Sequence, residues 1–162
     1  MERTRTYGYV DPLELAAVAR ATDGLTFTRQ LVSGEQGPIP IFSTLGYQVT
    51  EIEEGRAMYV GNPAEYVYNP LGSVHGGYAA AILDSAASSA VQSTLPPGVG
   101  FSTIHLSVRY LRPIFGNQGE VRAVGTVKNR GRRTALAEVE MRDAQDRLVA
   151  QGTGSFMLLP PD

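Results

Sequence analysis

Between Gly77 and Thr94 the chain runs almost without charge, through Tyr78-Ala79-Ala80-Ala81-Ile82-Leu83 and then Ala86-Ala87-Ser88-Ser89-Ala90-Val91. The pattern predicts a helix that is small or apolar on every side, and such a helix belongs in the middle of a fold. Leu95-Pro96-Pro97-Gly98 closes it. From residue 101 to 112 the pattern changes to period two. Ser102, Ile104, Leu106, Val108 and Tyr110 fall on one face, with Thr103, His105, Ser107 and Arg109 on the other. Three more strands are predicted over 118–128, 134–141 and 147–156, with turns at Asn129-Arg130-Gly131 and Asp143-Ala144-Gln145-Asp146. Links this short favour an antiparallel meander.

The first third of the chain is punctuated differently. Asp11-Pro12-Leu13-Glu14 supplies a helix N-cap, a proline at the first helical position and an acid in the first turn. Asp23-Gly24 ends that helix and opens a second over 25–31, which Gly34 stops. Strands are expected over 42–52 and 56–60 around Glu53-Glu54-Gly55, and 61–72 reads as an irregular connection. The order is helix, two strands, one buried small-residue helix, then four strands. A curved antiparallel sheet wrapped around one central helix satisfies it, in the α+β class. With no repeat or linker, residues 1–162 read as one domain, of which 1–36 is a helical extension.

Composition narrows the chemistry. The chain has no cysteine, which removes disulfides, thiolate catalysis and cysteine-bound metals. Two histidines, His75 and His105, cannot make a three-histidine zinc site, so no metal is expected. A net charge of −2 offers little attraction for nucleic acid. No apolar run has the length of a membrane span, and Met1 to Arg5 leads into no signal-peptide core, so a cytoplasmic protein is expected.

Asp84 is the only charged residue between Glu65 and Arg109. A carboxylate in an apolar helix is costly and is a poor helix former there. It is either a structural acid, paired with an arginine such as Arg109 or capping a strand, or a functional group. Gly76 and Gly77 stand at the start of the same helix. Free amides and the positive end of the helix dipole gather there, and glycines let a ligand carbonyl come close. Such amides can act as an oxyanion hole.

Asn69-Pro70-Leu71-Gly72-Ser73-Val74-His75-Gly76-Gly77, followed by Leu83-Asp84-Ser85-Ala86, resembles the PaaI-like hotdog-fold acyl-CoA thioesterases. So does the run Thr103-Ile104-His105-Leu106-Ser107-Val108-Arg109-Tyr110-Leu111-Arg112-Pro113, and so does Gly131-Arg132-Arg133 with its downstream acidic turn. The resemblance spans residue 40 to the end. It implies a hotdog fold and hydrolysis of an acyl- or aryl-CoA thioester, with coenzyme A as part of the substrate and no separate cofactor. By position, Asp84 matches the catalytic acid, as nucleophile or general base. The amide of Gly76, with that of Gly77, matches the thioester-polarising donor. Asn69 matches an amide that positions the carbonyl or the water, and Ser88 and Thr103 match hydroxyls near that water. His75 is read as holding the loop on the substrate side. Arg112, Arg132 and Arg133, with Arg130, are candidates for the phosphates of coenzyme A. The family also implies a homodimer or homotetramer whose sites draw on two subunits.

Two rival readings remain open on sequence. A hotdog hydratase or dehydratase would use a histidine and an acid to move a proton. Its signature places an aspartate shortly before the histidine, and the segment before His75 has none. A non-catalytic acyl-CoA binding module would keep the glycines without needing Asp84.

Overall fold

The computed structural model describes residues 2–161. Helix α1 (Pro12–Ala21) starts at Asp11, whose side chain accepts from the amides of Leu13 and Glu14. Helix α2 (Gly24–Ser33) starts at Asp23 and ends at Gly34, a left-handed cap with φ 77°. A third, short helix α3 (Pro40–Leu45) occupies ground where the β-formers had predicted a strand from residue 42. Pro40 opens it, and Gly46, at φ 72°, turns the chain out of it into β1 (Tyr47–Glu53). Proline at a first helical position and glycine just past the end outweigh the strand propensity of Ile41 and Phe42.

The remaining elements follow the predicted order. β2 (Arg56–Gly61) leads through a 3-10 turn, Glu65–Val67, to the central helix α4 (Gly76–Gln92). Then come β3 (Gly100–Tyr110), β4 (Val121–Arg130), β5 (Thr134–Asp143) and β6 (Leu148–Leu159). All six strands form one antiparallel sheet in the order β1-β2-β4-β5-β6-β3. The meander therefore holds for β4 to β6 but not for β3, which lies at the far edge beside β6. The cause is α4: its 17 residues carry the chain about 25 Å across the sheet before β3 can begin.

The core is the interface between α4 and the sheet. Ile82, Leu83, Ala86, Ala87, Ala90 and Val91 are fully buried there against Ala57, Tyr59, Ala123, Met141 and Phe156. Alanines on the helix let it come close, and Gly125 on β4 takes that closeness to its limit. A Cβ at Gly125 would lie 2.2 Å from the Ala86 carbonyl oxygen. The β5–β6 turn is fixed by Asp143, which is buried and accepts from the amides of Gln145 and Arg147 and from the Arg147 guanidinium. Burial alone would push its carboxyl up, but the bonds to Arg147 and Gln145 overrule it and hold the carboxyl below its ordinary value. Among the described residues no helix is long and apolar enough to cross a membrane.

Gly125→Ala should lower stability by about 3 kcal/mol in urea unfolding, because the new methyl meets helix backbone that cannot swing aside. A loss below about 0.5 kcal/mol would show that α4 is not seated as tightly as described.

Candidate active site around Asp84 and the start of helix α4

Asp84 sits two turns into α4 on the side facing β3 and is half-buried. Its Oδ1 accepts from the Thr103 hydroxyl at 3.2 Å. Among the described residues it has no cationic partner. Arg109 points to the outer face of the sheet, where it lines a groove with Gln151 and Thr153. The structural-pair reading of Asp84 with Arg109 therefore fails. Burial pushes the Asp84 carboxyl above its ordinary value of 3.8, and the Thr103 hydrogen bond opposes that only in part. Tyr47, from β1, closes the other side. Its hydroxyl lies 2.9 Å from Ser85 Oγ, and its phenol is pushed up to about 12, by burial first and, against the Ser85 bond, by the nearby Asp84 charge.

Thr103 reaches Asp84 because β3 is not regular. The register against β6 slips between Thr103 and His105, so Ile104 is an extra residue in the strand. Strict alternation had put Thr103 on the face of Ser107 and Arg109. The bulge reverses that. Phe101 packs against Phe156, and Thr103 bonds to Asp84, on the helix side, while past the bulge Val108 packs against the core and Tyr110 bonds to Gly76 from that same side. Bulges that re-aim a side chain in this way recur beside functional sites. No feature of the local sequence announces this one.

The start of α4 is held from the loop before it. Asn69 folds that loop: its Oδ1 accepts from the amides of Leu71 and Ser73, and its Nδ2 donates to Ser73 Oγ. One N–H of the Asn69 carboxamide remains for a ligand. The His75 amide donates to the Val67 carbonyl at 2.8 Å. The His75 ring then caps the helix, with Nδ1 accepting from the Gly77 amide at 2.8 Å. Glycine is needed at 77, because a Cβ there would come within 2.9 Å of that nitrogen. Of the two candidate donors, Gly77 is thus already engaged. The Gly76 amide has no acceptor among the described residues. Ser88 lies one turn beyond Asp84 on the same face, and its hydroxyl donates to the Ser85 carbonyl at 3.2 Å.

The candidate arginines divide between two ends of the molecule. Arg112 shares a cleft of about 300 Å³ with His75, Gly76, Ala79 and Tyr110. Arg130 and Arg132 line a second cleft of about 510 Å³ with Val99, Leu158 and Pro160, and Arg133 is exposed beside it. Asp84 lines neither cleft. Gly76 and Asp84 are eight residues apart on one helix, so about 12 Å separates them along its axis.

Residues 71–150 match the model of the thioesterase superfamily. A protein of Halobacterium salinarum named as an esterase is 38% identical over 99 residues, which cover 56% of this chain and 64% of that one, just under two thirds of its length. A point variant of the phenylacetic acid degradation protein PaaI from Thermus thermophilus is 30% identical, with a TM-score of 0.67, over 74% of this chain and 99% of that structure. The chain belongs to the PaaI-like hotdog thioesterases. A 1,4-dihydroxy-2-naphthoyl-CoA hydrolase of Listeria monocytogenes is also similar, at 24% identity over 65% of this chain and 85% of that one. The sheet order and the helix it wraps are those of the hotdog fold. Within this chain the segment matched to the family carries Asp84, His75, Gly76 and Thr103 but not Tyr47, whose contact beside Asp84 comes from β1 and has no signal in the sequence pattern.

Thr103→Val keeps the shape of the side chain and removes the one hydrogen bond to Asp84. The Asp84 carboxyl, followed by carbon NMR, should titrate at a still higher pH in this variant; an unmoved titration would mean the bond does not form in solution. Because the folded value already lies above 3.8, ionisation of Asp84 opposes folding at neutral pH. Asp84→Asn should therefore raise the melting temperature at pH 7, and the gain should vanish below the unfolded value of 3.8.

Proposed function

We propose that the protein hydrolyses an acyl- or aryl-CoA thioester, with Asp84 as nucleophile or general base and the Gly76 amide as the oxyanion donor. The observation that carries the reading is a carboxylate that has no cation partner among the described residues, its pKa raised by burial, aligned by one hydroxyl and set in a helix whose first amide has no acceptor among them. A carboxylate lifted toward neutrality is a better base at working pH than an ordinary surface acid. The free amide and the helix dipole stabilise the negative oxygen that develops on the thioester carbonyl. The coenzyme A thiolate leaves readily, so no strong general acid is required. Asp84 either attacks the carbonyl, giving a mixed anhydride that water opens, or draws the proton from an attacking water. Ser88 and Thr103 hold that water, and Asn69 contributes its remaining N–H.

The 12 Å offset between Gly76 and Asp84 is too long for one thioester, which supports a site shared by two copies. β3 offers its other edge unpaired along eleven residues. Thr103, bonded to Asp84, lies near one end of that edge, and Tyr110, bonded to Gly76, lies at the other. Antiparallel pairing of two copies about an axis between Leu106 and Ser107 sets the Asp84 end of one against the Gly76 end of its partner. The same pairing brings Arg112 of one copy toward Arg132 and Arg133 of the other, where a guanidinium cluster suits the phosphates of coenzyme A. Such an isologous contact is the commonest route to a homodimer, and two dimers stack into a tetramer. The hydratase reading is weakened because the His75 ring already serves as a helix cap.

A thiol-release screen across aryl-, short- and medium-chain acyl-CoA thioesters tests the activity. Asp84→Asn should bind substrate and lose turnover by about 10²- to 10⁴-fold. Thiol release at the wild-type rate from that variant would leave a binding module as the surviving explanation. Activity should fall as pH drops through the raised Asp84 value, since only the ionised form acts. Mixing and re-annealing Asp84→Asn with Gly76→Val should restore about a quarter of the wild-type rate, because half of the dimers are mixed and each holds one intact site. Two dead variants that stay dead when mixed would place the site within a single chain.

A further inference from the structure

Three restraints meet at the start of α4, and two of them come from the loop before it. The His75 amide is tied to Val67, and the His75 ring is tied to the Gly77 amide. The third comes from the sheet. Tyr110 ends β3, and its hydroxyl donates to the Gly76 carbonyl at 2.9 Å. The ring also lies against Gly76: a Cβ there would meet it at 3.2 to 3.5 Å. Tyr110, His75 and Gly76 line the same cleft. Tyr110 is 51% exposed, so core packing does not account for its position.

We infer that Tyr110 is a positioning residue for the Gly76 amide, and that its ring forms the wall along which a thioester reaches that amide. The inference rests on Gly76 being the oxyanion donor. Gly76 has no side chain to hold its peptide planes, and its own N–H is unbonded. Without a contact from the sheet, the first turn of α4 can pivot about the His75 cap. The Tyr110 hydroxyl removes that freedom by fixing the carbonyl on the far side of the Gly76 residue. An oxyanion donor works because it is already in place when charge develops, and a donor that must first be reoriented stabilises the transition state less. Losing the hydroxyl leaves the Gly76 carbonyl its helical partner, so the fold does not depend on it. The effect belongs to the transition state and acts on kcat rather than KM.

Tyr110→Phe keeps the wall and removes the tie. It should lower kcat about tenfold and leave KM within about twofold. The acid limb of the pH profile, which belongs to Asp84, should not move. Tyr110→Ala should raise KM as well, because the wall goes. Gly76→Ala pushes a methyl toward the ring, and Tyr110→Phe added to it should cost clearly less than it does alone, since both act through one amide. The hydrogen exchange of the Gly77 and Tyr78 amides should quicken in Tyr110→Phe, with or without substrate. An unchanged kcat in an active protein overturns the inference, and so does unchanged exchange. Quickened exchange in a wild-type background that hydrolyses nothing on the panel supports the tie and sinks the thioesterase reading instead.

Discussion

The close seating of α4 on the sheet is the contact on which the rest depends. Ala86, Ala87 and Ala90 present almost no side chain toward β4, and Gly125 presents none toward Ala86. Helix backbone and sheet backbone can then approach more closely than larger side chains would allow. That distance fixes where each residue of α4 stands relative to β3, and so whether Thr103 can reach Asp84 and whether Tyr110 can reach Gly76. A core made of small residues gains less from each buried side chain but holds its geometry tightly, because there are few rotamers to rearrange. For a site built from a helix and an edge strand, that exchange favours precision.

The electrostatics follow from the same seating. Half-burial of Asp84 between α4, β1 and β3 disfavours its charged form, and among the described residues no cation restores it. Tyr47 and Thr103 surround it with neutral hydrogen-bonding groups rather than with charge. The ionised carboxylate is thus held at a cost to stability, which suits the base proposed for it. At the other end of the helix segment, the His75 ring uses one amide as a cap and leaves the preceding one free. A capping serine or aspartate would also satisfy the first turn. The ring does so while lining the cleft that holds Arg112.

How much of this was legible beforehand varies from element to element. The uncharged run of α4, the lone Asp84, the glycine pair and the Asp11 and Asp23 caps are local signals, and local patterning suffices to read them. The short helix α3 is not legible because the β-formers from residue 42 on outweigh Pro40 and Gly46 in the local pattern. The position of β3 beyond β6 was misread as well, since short links describe neighbours in sequence and carry no information about where a crossing helix delivers the chain. Nothing near Tyr47 in sequence resembles a site, so its place beside Asp84 is visible only in the fold.

The sequence by itself determined which residues are candidates for chemistry here: a chain without cysteine, with one carboxylate in an apolar helix and a glycine pair at that helix's start. Only the tertiary structure decided which of those groups meet. The bulge at Ile104 turned Thr103 inward, the His75 ring took the Gly77 amide and left Gly76, and the arginines separated to opposite ends of β3. The physical reason is that hydrophobic period and capping residues act over a few positions along the chain. Strand register, ring orientation and the distance between two groups are settled by packing between segments far apart in sequence.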